Sequence, residues 1–199
     1  MAHIDNGAVL LSDDAVAIIP DSFYDIAAGE VKISDTIRKQ IKITMLQKSD
    51  GDFTYHLASV VDDLQCGVNL ILRGADHLPN TPKHIALALA LVHSGFSKSA
   101  IPTYGHSGLI CKGNKKISKR DNDSDFSDFM DNYSMDAIFH WLLQLGWGHP
   151  DAKFDKNHKT LTRKEMIDLF SQWKINFKNC NMNLDKLGNL NKLYNNLKL

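Results

Sequence analysis

Lys116-Ile117-Ser118-Lys119-Arg120 follows Gly113-Asn114-Lys115 in a polar loop, so four cations fall within six residues beside a hydroxyl. Taken alone this is a solvated basic turn. On a mobile loop, however, such a lysine can approach a triphosphate as its charge spreads in the transition state, the form of stabilisation that contributes most to phosphoryl chemistry. A second candidate is Arg73-Gly74-Ala75-Asp76-His77, where a guanidinium and a carboxylate lie three positions apart. A guanidinium forks two parallel bonds to a carboxylate in a geometry lysine cannot copy. Other constellations fail on spacing. His56, His77, His84, His93 and His106 never fall into H-x-x-x-H or H-E-x-x-H order, so no protein-bound metal is expected. Asp121, Asp123 and Asp125 imitate the opening of a calcium loop, but Phe126 stands where glycine is needed and Asn132 where glutamate is needed. Gly105-His106-Ser107-Gly108 is one residue short of a nucleophile elbow and reads as an ordinary turn.

The elements that must position these residues are legible in part. Thr54 is placed to cap a helix whose Leu57, Ala58, Val60, Val61 and Leu64 recur at helical spacing, with Gly67 to end it. The apolar run Val68 to Leu72 suits a strand covered on both faces. Thr81-Pro82 then reads as a helix start, cap followed by proline, and Ile85 to Val92 runs to a stop near Gly95. Strand, loop, helix is half of an α/β nucleotide fold, in which ligands sit beyond the carboxyl ends of strands; that places Arg73 to His77 at the expected site. Before residue 50, Val9-Leu10-Leu11, Val16-Ala17-Ile18-Ile19 and Ile41 to Leu46 read as strands joined by loops. After residue 133 the period becomes helical. Ser134 caps a stretch carrying Ile138, Phe139, Trp141, Leu142 and Leu145 up to Gly146, Thr162-Arg163-Lys164-Glu165 is a capping box, and Leu184, Leu187, Leu190, Leu193 and Leu197 mark a third helix.

Composition bounds the function only loosely. The 199 residues carry 23 Lys+Arg against 23 Asp+Glu, with 43% hydrophobic residues, an ordinary globular composition. Zero net charge means that any nucleic-acid contact must come from local patches. Cys66, Cys111 and Cys180 are odd in number and widely spaced, which suggests neither a disulfide framework nor a zinc site and fits a reducing cytoplasm. No apolar stretch approaches the roughly 18 residues of a membrane span, and the first residues lack a secretion signal's layout, so a cytoplasmic protein is expected.

Three blocks, in order, resemble one family. Lys116 to Arg120 is similar to the KMSKS motif of class I aminoacyl-tRNA synthetases, in the Lys-(Leu/Ile)-Ser-Lys-Arg form usual for the glutamyl enzymes. Ser49 to Asp63 resembles that family's S-D-G-x-P-T-Y-H-L-A-x-V-V-D-D, and Leu72 to Lys83 its I-R-G-x-D-H-L-x-N-T-P-K. Weaker likeness continues through Leu142 to Trp147 and Leu184 to Asn191. The resemblance to glutamyl-tRNA synthetases implies an α/β fold, the second half of a Rossmann-like class I catalytic domain followed by an α-helical stem-contact region. Residues 1–50 are then the remnant of the inserted acceptor-arm domain, 51–130 the catalytic half with its KMSKS-type loop, and 131–199 the stem-contact region.

The implied activity is ATP-dependent formation of glutamyl-adenylate and transfer of glutamate to tRNA. Carried over position by position, Tyr55, Arg73 and Asp76 belong to the glutamate site, with Arg73 reaching a substrate carboxylate. Lys116, Ser118, Lys119 and Arg120 belong to the ATP site, with Lys119 on the phosphates and Mg2+ arriving with the nucleotide. The implied partners are L-glutamate and the acceptor arm of a glutamate-accepting tRNA. Phe53 replaces the family's proline and Ser59 stands where many relatives have asparagine near the substrate, which leaves glutamate selectivity less determined than the fold. The family's H-x-G-H signature does not occur in the sequence, so the chain reads as truncated at both ends. Three readings stay open: a ligase piece working with a separate chain that supplies the H-x-G-H half, a non-catalytic tRNA-binding module, or an inactive remnant.

Overall fold

The computed structural model describes residues 2–5, 8–113, 115–117, 130–146, 160–171 and 177–197. It divides into two compact units, Met1–His106 and Ser107–Leu199.

The first unit is α/β. Strands β1 (Ala2–Asp5) and β2 (Ala8–Leu11) pair antiparallel, and β2 pairs with β5 (Met45–Gln47). Between them lie helix α1 (Asp13–Ala17), the antiparallel pair β3 (Ser22–Asp25) and β4 (Gly29–Lys32), and helix α2 (Asp35–Lys42). Helices α3 (Tyr55–Gln65) and α4 (Thr81–His93) flank β6 (Leu70–Gly74) and a 3-10 turn, Ala75–Asn80. Strand β7 (Thr103–Ser107) completes a four-stranded sheet in the order β4, β3, β7, β6, in which β3 and β7 run parallel. One apolar cluster holds Leu11, Ala15 and Ile41 together with Val60, Leu64 and Leu87, so the residues before 50 share a core with α3 and α4.

Helix α3 forms where its apolar spacing predicts. Thr54 precedes it with extended backbone, and Gly67 beyond its end adopts φ +66°, a left-handed conformation that glycine takes without a Cβ penalty. The Thr54 hydroxyl does not cap the helix; it donates to the Met45 carbonyl and ties α3 to β5. Helix α4 begins with Thr81 already helical, one residue earlier than expected, and Pro82 in its first turn. The Thr81 hydroxyl is thereby released from capping.

Three expectations need correction. Val16 to Ile19 is not a strand: Ser12 accepts from the Ala15 N–H, Asp13 and Asp14 sit in the first turn, and α1 results. Ile41 to Leu46 is split, because the Ser34 cap and acidic Asp35 start α2, which runs through Ile41 before β5 begins at Met45. Strand β6 is not covered on both faces, since Leu70 is 38% and Leu72 49% exposed. It is the terminal strand of its sheet among the described residues, so its apolar run does not signify burial from both sides.

The second unit has a small sheet and helices. Strands β8 (Ile110–Lys112) and β9 (Lys115–Lys116) pair antiparallel, and β10 (Cys180–Asn181) lies parallel to β8. Helices α5 (Met135–Gly146), α6 (Arg163–Ser171) and α7 (Leu184–Asn196) enclose Ile138, Trp141, Met166, Leu187, Leu190 and Tyr194. The expected caps are present. Ser134 Oγ accepts from the Ala137 N–H at 3.3 Å, and the Thr162–Glu165 box closes reciprocally at 2.8 and 3.2 Å. The Trp141 indole donates to the Asn183 carbonyl at 3.0 Å. Among the described residues no helix is long and apolar enough to cross a membrane.

Candidate functional site

Arg73, near the end of β6, is the centre of a hydrogen-bonded cluster in the first unit. Its Nε–H donates to His106 Nε2 at 3.0 Å, and its Nη2 donates to Thr81 Oγ1 at 2.8 Å and, at 3.4 Å, to the His77 carbonyl. Nη1 lies 3.2 Å from His84 Nδ1. The guanidinium also lies over the Tyr104 ring, 5.5 Å from its centroid, a cation–π distance. Its partners therefore come from β7, from α4 and from the turn between β6 and α4.

The network fixes the imidazole tautomers. An arginine N–H can only donate, so His106 Nε2 and His84 Nδ1 are lone-pair acceptors. His106 must then carry its proton on Nδ1, where it donates to Asp25 Oδ2 at 2.5 Å with both side chains fully buried. His84 must carry its proton on Nε2, where it donates to His56 Nδ1 at 3.0 Å. A continuous chain runs from buried Asp25 through His106, Arg73 and His84 to half-buried His56.

Electrostatics agrees with these assignments. Burial alone raises the Asp25 pKa, but hydrogen bonds from the Ala28 N–H, the His106 ring, the Ala27 N–H and the His106 N–H outweigh it and hold the carboxyl below its usual value. His84 is held down to about 3, first by burial and then by the Arg73 charge, which keeps it neutral and able to accept. Burial, then Lys83 and Arg73, lowers His56 as well. Tyr104 is pushed up to about 12 by burial.

Tyr55 opens α3, is 54% exposed, and has the rings of His56, His84 and His77 at 5.6, 5.7 and 6.1 Å from its own. One helical turn on, Ser59 Oγ is buried without a hydrogen-bond partner in the protein. Buried polar atoms are nearly always paired, so this one stands out. Asp76 is exposed on the 3-10 turn directly after β6. The fold thus gathers Tyr55 and Arg73 around one histidine cluster and sets Asp76 on the adjoining turn.

Lys116 lies in the second unit on exposed β9, whose exit is fixed by the Ile117 N–H donating to the Ile110 carbonyl at 3.1 Å. Ser118, Lys119 and Arg120 fall outside the described residues, as do Asp121, Asp123 and Asp125. Among the described residues, no group of three or more His, Cys, Asp or Glu is arranged to hold a metal.

Several members of the cluster, His56, Thr81, His84 and Tyr104 as well as Asp25 and His106, are not among the site residues expected from the sequence. His106 belongs to β7, not to a turn, and Asp25 ends β3 outside every motif block. Gly105 explains the first: a Cβ there would come 2.5 Å from Ile26 Cγ1 and 2.7 Å from Leu72 Cδ2, so the glycine permits close strand packing rather than a bend. For Asp25 the available signal was the Asp-Ile-Ala-Ala-Gly turn, in which the carboxylate accepts from the N–H groups of Ala27 and Ala28 at 2.9 Å each.

Residues 17–188 match the family model described as tRNA synthetases class I (E and Q), catalytic domain. The chain is 31% identical over 175 residues to the glutamate–tRNA ligase of Xylella fastidiosa strain M23, covering 87% of this chain and 34% of that protein. It is likewise 31% identical over 174 residues to the ligase of Xanthomonas euvesicatoria pv. vesicatoria, covering 86% and 34%. The chain therefore spans about a third of the length of the curated relatives it matches. Among solved structures, the glutamate–tRNA synthetase of Elizabethkingia anophelis superposes with TM-score 0.67 at 23% identity, over 94% of this chain and 39% of that one. The glutamate tRNA ligase of Elizabethkingia meningosepticum, solved in complex with its amino acid, gives 0.69 at 23% identity over 96% and 39%. At that identity the likeness establishes the fold.

Proposed function

Because the chain belongs to the catalytic-domain family of the class I glutamyl- and glutaminyl-tRNA synthetases, we propose that it supplies the glutamate-binding part of a glutamate–tRNA ligase, which forms glutamyl-adenylate from ATP and transfers glutamate to tRNA. The observation that carries this reading is the Arg73 cluster. A guanidinium oriented by His106, Thr81 and His84 beside exposed Tyr55 is a preorganised receptor for a carboxylate, and each charge-assisted bond it makes contributes roughly 1.5–3 kcal/mol. Tyr55, Asp76 and the unpaired Ser59 hydroxyl complete the amino-acid site in this proposal.

Lys116, Ser118, Lys119 and Arg120 are assigned to the ATP phosphates, with Lys119 stabilising the charge that develops on adenylate formation. Mg2+ would enter with the nucleotide. The H-x-G-H half of the pocket is assigned to a separate chain, and the acceptor arm of a glutamate-accepting tRNA is the second macromolecular partner. In the same reading residues 1–50 descend from the acceptor-arm insertion, 51–130 form the catalytic half and 131–199 the stem-contact region, and the protein works in the cytoplasm.

The test is pyrophosphate exchange with glutamate, ATP and tRNA, with and without a protein carrying the H-x-G-H half. Exchange that requires both proteins, and falls at least a hundredfold with Lys119→Ala, is the expected result. No exchange under either condition removes the ligase reading. A gel shift with tRNA in the absence of any exchange would favour a binding module instead.

A further inference from the structure

Both oxygens of the Asp25 carboxylate are engaged, and in different ways. Oδ1 accepts three backbone N–H groups, from Ala27 and Ala28 at 2.9 Å and from His106 at 3.2 Å. Oδ2 accepts the His106 Nδ1 proton. The carboxylate cannot rotate without abandoning three backbone donors, so its second oxygen is fixed on the imidazole. That oxygen dictates which ring nitrogen is bare. The bare one, Nε2, takes the Arg73 Nε–H, while Thr81 Oγ1, 3.1 Å from the same nitrogen, takes Nη2. One whole edge of the guanidinium, Nε with Nη2, is thereby anchored to the interior.

We propose that Asp25 and His106 are a positioning pair for Arg73: the buried carboxylate selects the His106 tautomer, and the tautomer sets the direction in which the guanidinium meets the carboxylate of the amino-acid substrate. The inference rests on the reading that Arg73 receives such a carboxylate, and it adds two residues outside the three motif blocks. The relation is that of the buried aspartate that orients a catalytic histidine, where asparagine keeps the geometry and enforces the wrong tautomer. Asparagine has the same consequence here for a stated reason. Its single oxygen must take the Oδ1 position to satisfy the three N–H groups, so its NH2 faces His106 Nδ1. The ring responds by moving its proton to Nε2, which then opposes the Arg73 Nε–H, donor against donor. Neither the fold of β3 nor that of β7 needs to change for this to happen.

The experiment uses the full chain labelled with 15N. Two-bond proton–nitrogen correlations distinguish protonated from bare ring nitrogens, and calorimetry measures L-glutamate affinity. The wild-type chain is expected to show His106 with Nδ1 protonated and Nε2 bare, and Asp25→Asn to exchange the two and weaken glutamate binding at least tenfold. In an Arg73→Lys background, Asp25→Asn is expected to change glutamate affinity by less than twofold, because its effect travels through the guanidinium. A bare Nδ1 in the wild-type chain overturns the proposal without recourse to any variant that must fold. So does a loss on Asp25→Asn that is equally large with lysine at 73. A wild-type chain with the expected tautomer and no glutamate affinity overturns the substrate reading alone; the exchange of tautomer in Asp25→Asn then still decides the positioning role.

Discussion

Glycine at two positions marks where backbone contact leaves no room for a side chain. At Gly105 the neighbours are side-chain atoms of Ile26 and Leu72, parts of which can swing aside, whereas a Cβ on Gly108 would lie 2.0 Å from the Lys178 carbonyl oxygen. Backbone cannot yield as a side chain can. Gly108→Ala should therefore cost more than Gly105→Ala, on the order of 1–3 kcal/mol as in other overpacked sites, and urea midpoints of the two variants would show the order reversed if the close approach is wrong. The same scale shows why the site was only half legible in the sequence. Tyr55, Arg73 and Asp76 lie within motif blocks that can be read along the chain. Asp25 and His106 stand 81 positions apart, and nothing in either neighbourhood announces that one carboxylate will meet one imidazole once β3 and β7 align.

Elements were legible where capping chemistry and apolar period agreed. The Thr162–Glu165 box, the Ser134 cap and the glycine after α3 all act as their types imply. A short apolar run between turn residues misled at Val16 to Ile19, where the Ser12 cap with two aspartates prevailed. Thr162→Ala removes the hydroxyl that accepts the Glu165 N–H and donates to the Glu165 carboxylate, and leaves the backbone N–H of residue 162 on that carboxylate, so it should lower stability by about 1 kcal/mol. Thermal unfolding checks this, and an unchanged midpoint would mean that α6 owes its start to packing of Met166 rather than to its cap.

Each unit of the molecule has its own apolar cluster and a buried histidine whose pKa is lowered by burial. In the second unit His140 is held down to about 4, first by burial and then by Lys186, with Tyr194 hydroxyl 2.9 Å from its Nδ1. In the first, His84 is held down to about 3. Both depressions mean that the unfolded chain takes up a proton near the usual imidazole value of 6.5 while the folded chain does not. Stability from these groups is fully present above pH 6.5 and is lost as pH falls toward those folded values, by about 1.4 kcal/mol per pH unit for each histidine. All three tryptophans of the sequence follow residue 107, and Trp141 is buried in the apolar cluster of the second unit, so intrinsic fluorescence follows the unit that holds His140. Its urea midpoint should drop between pH 7.5 and 5; a flat profile would contradict the buried neutral state of that ring.

The chain from Asp25 to Arg73 has a consequence for descent. The Arg73 guanidinium draws its partners from β7, α4 and the turn before it, and the proposed control of the His106 tautomer lies on β3, so the network is not readily altered piecemeal. On the proposed roles, loss of the aspartate leaves the histidine with the wrong proton, and loss of the arginine leaves a buried histidine–aspartate pair that only ties β3 to β7. If the three act as proposed, relatives of this chain that lack one of them are expected to lack the others, which an alignment of the family would check.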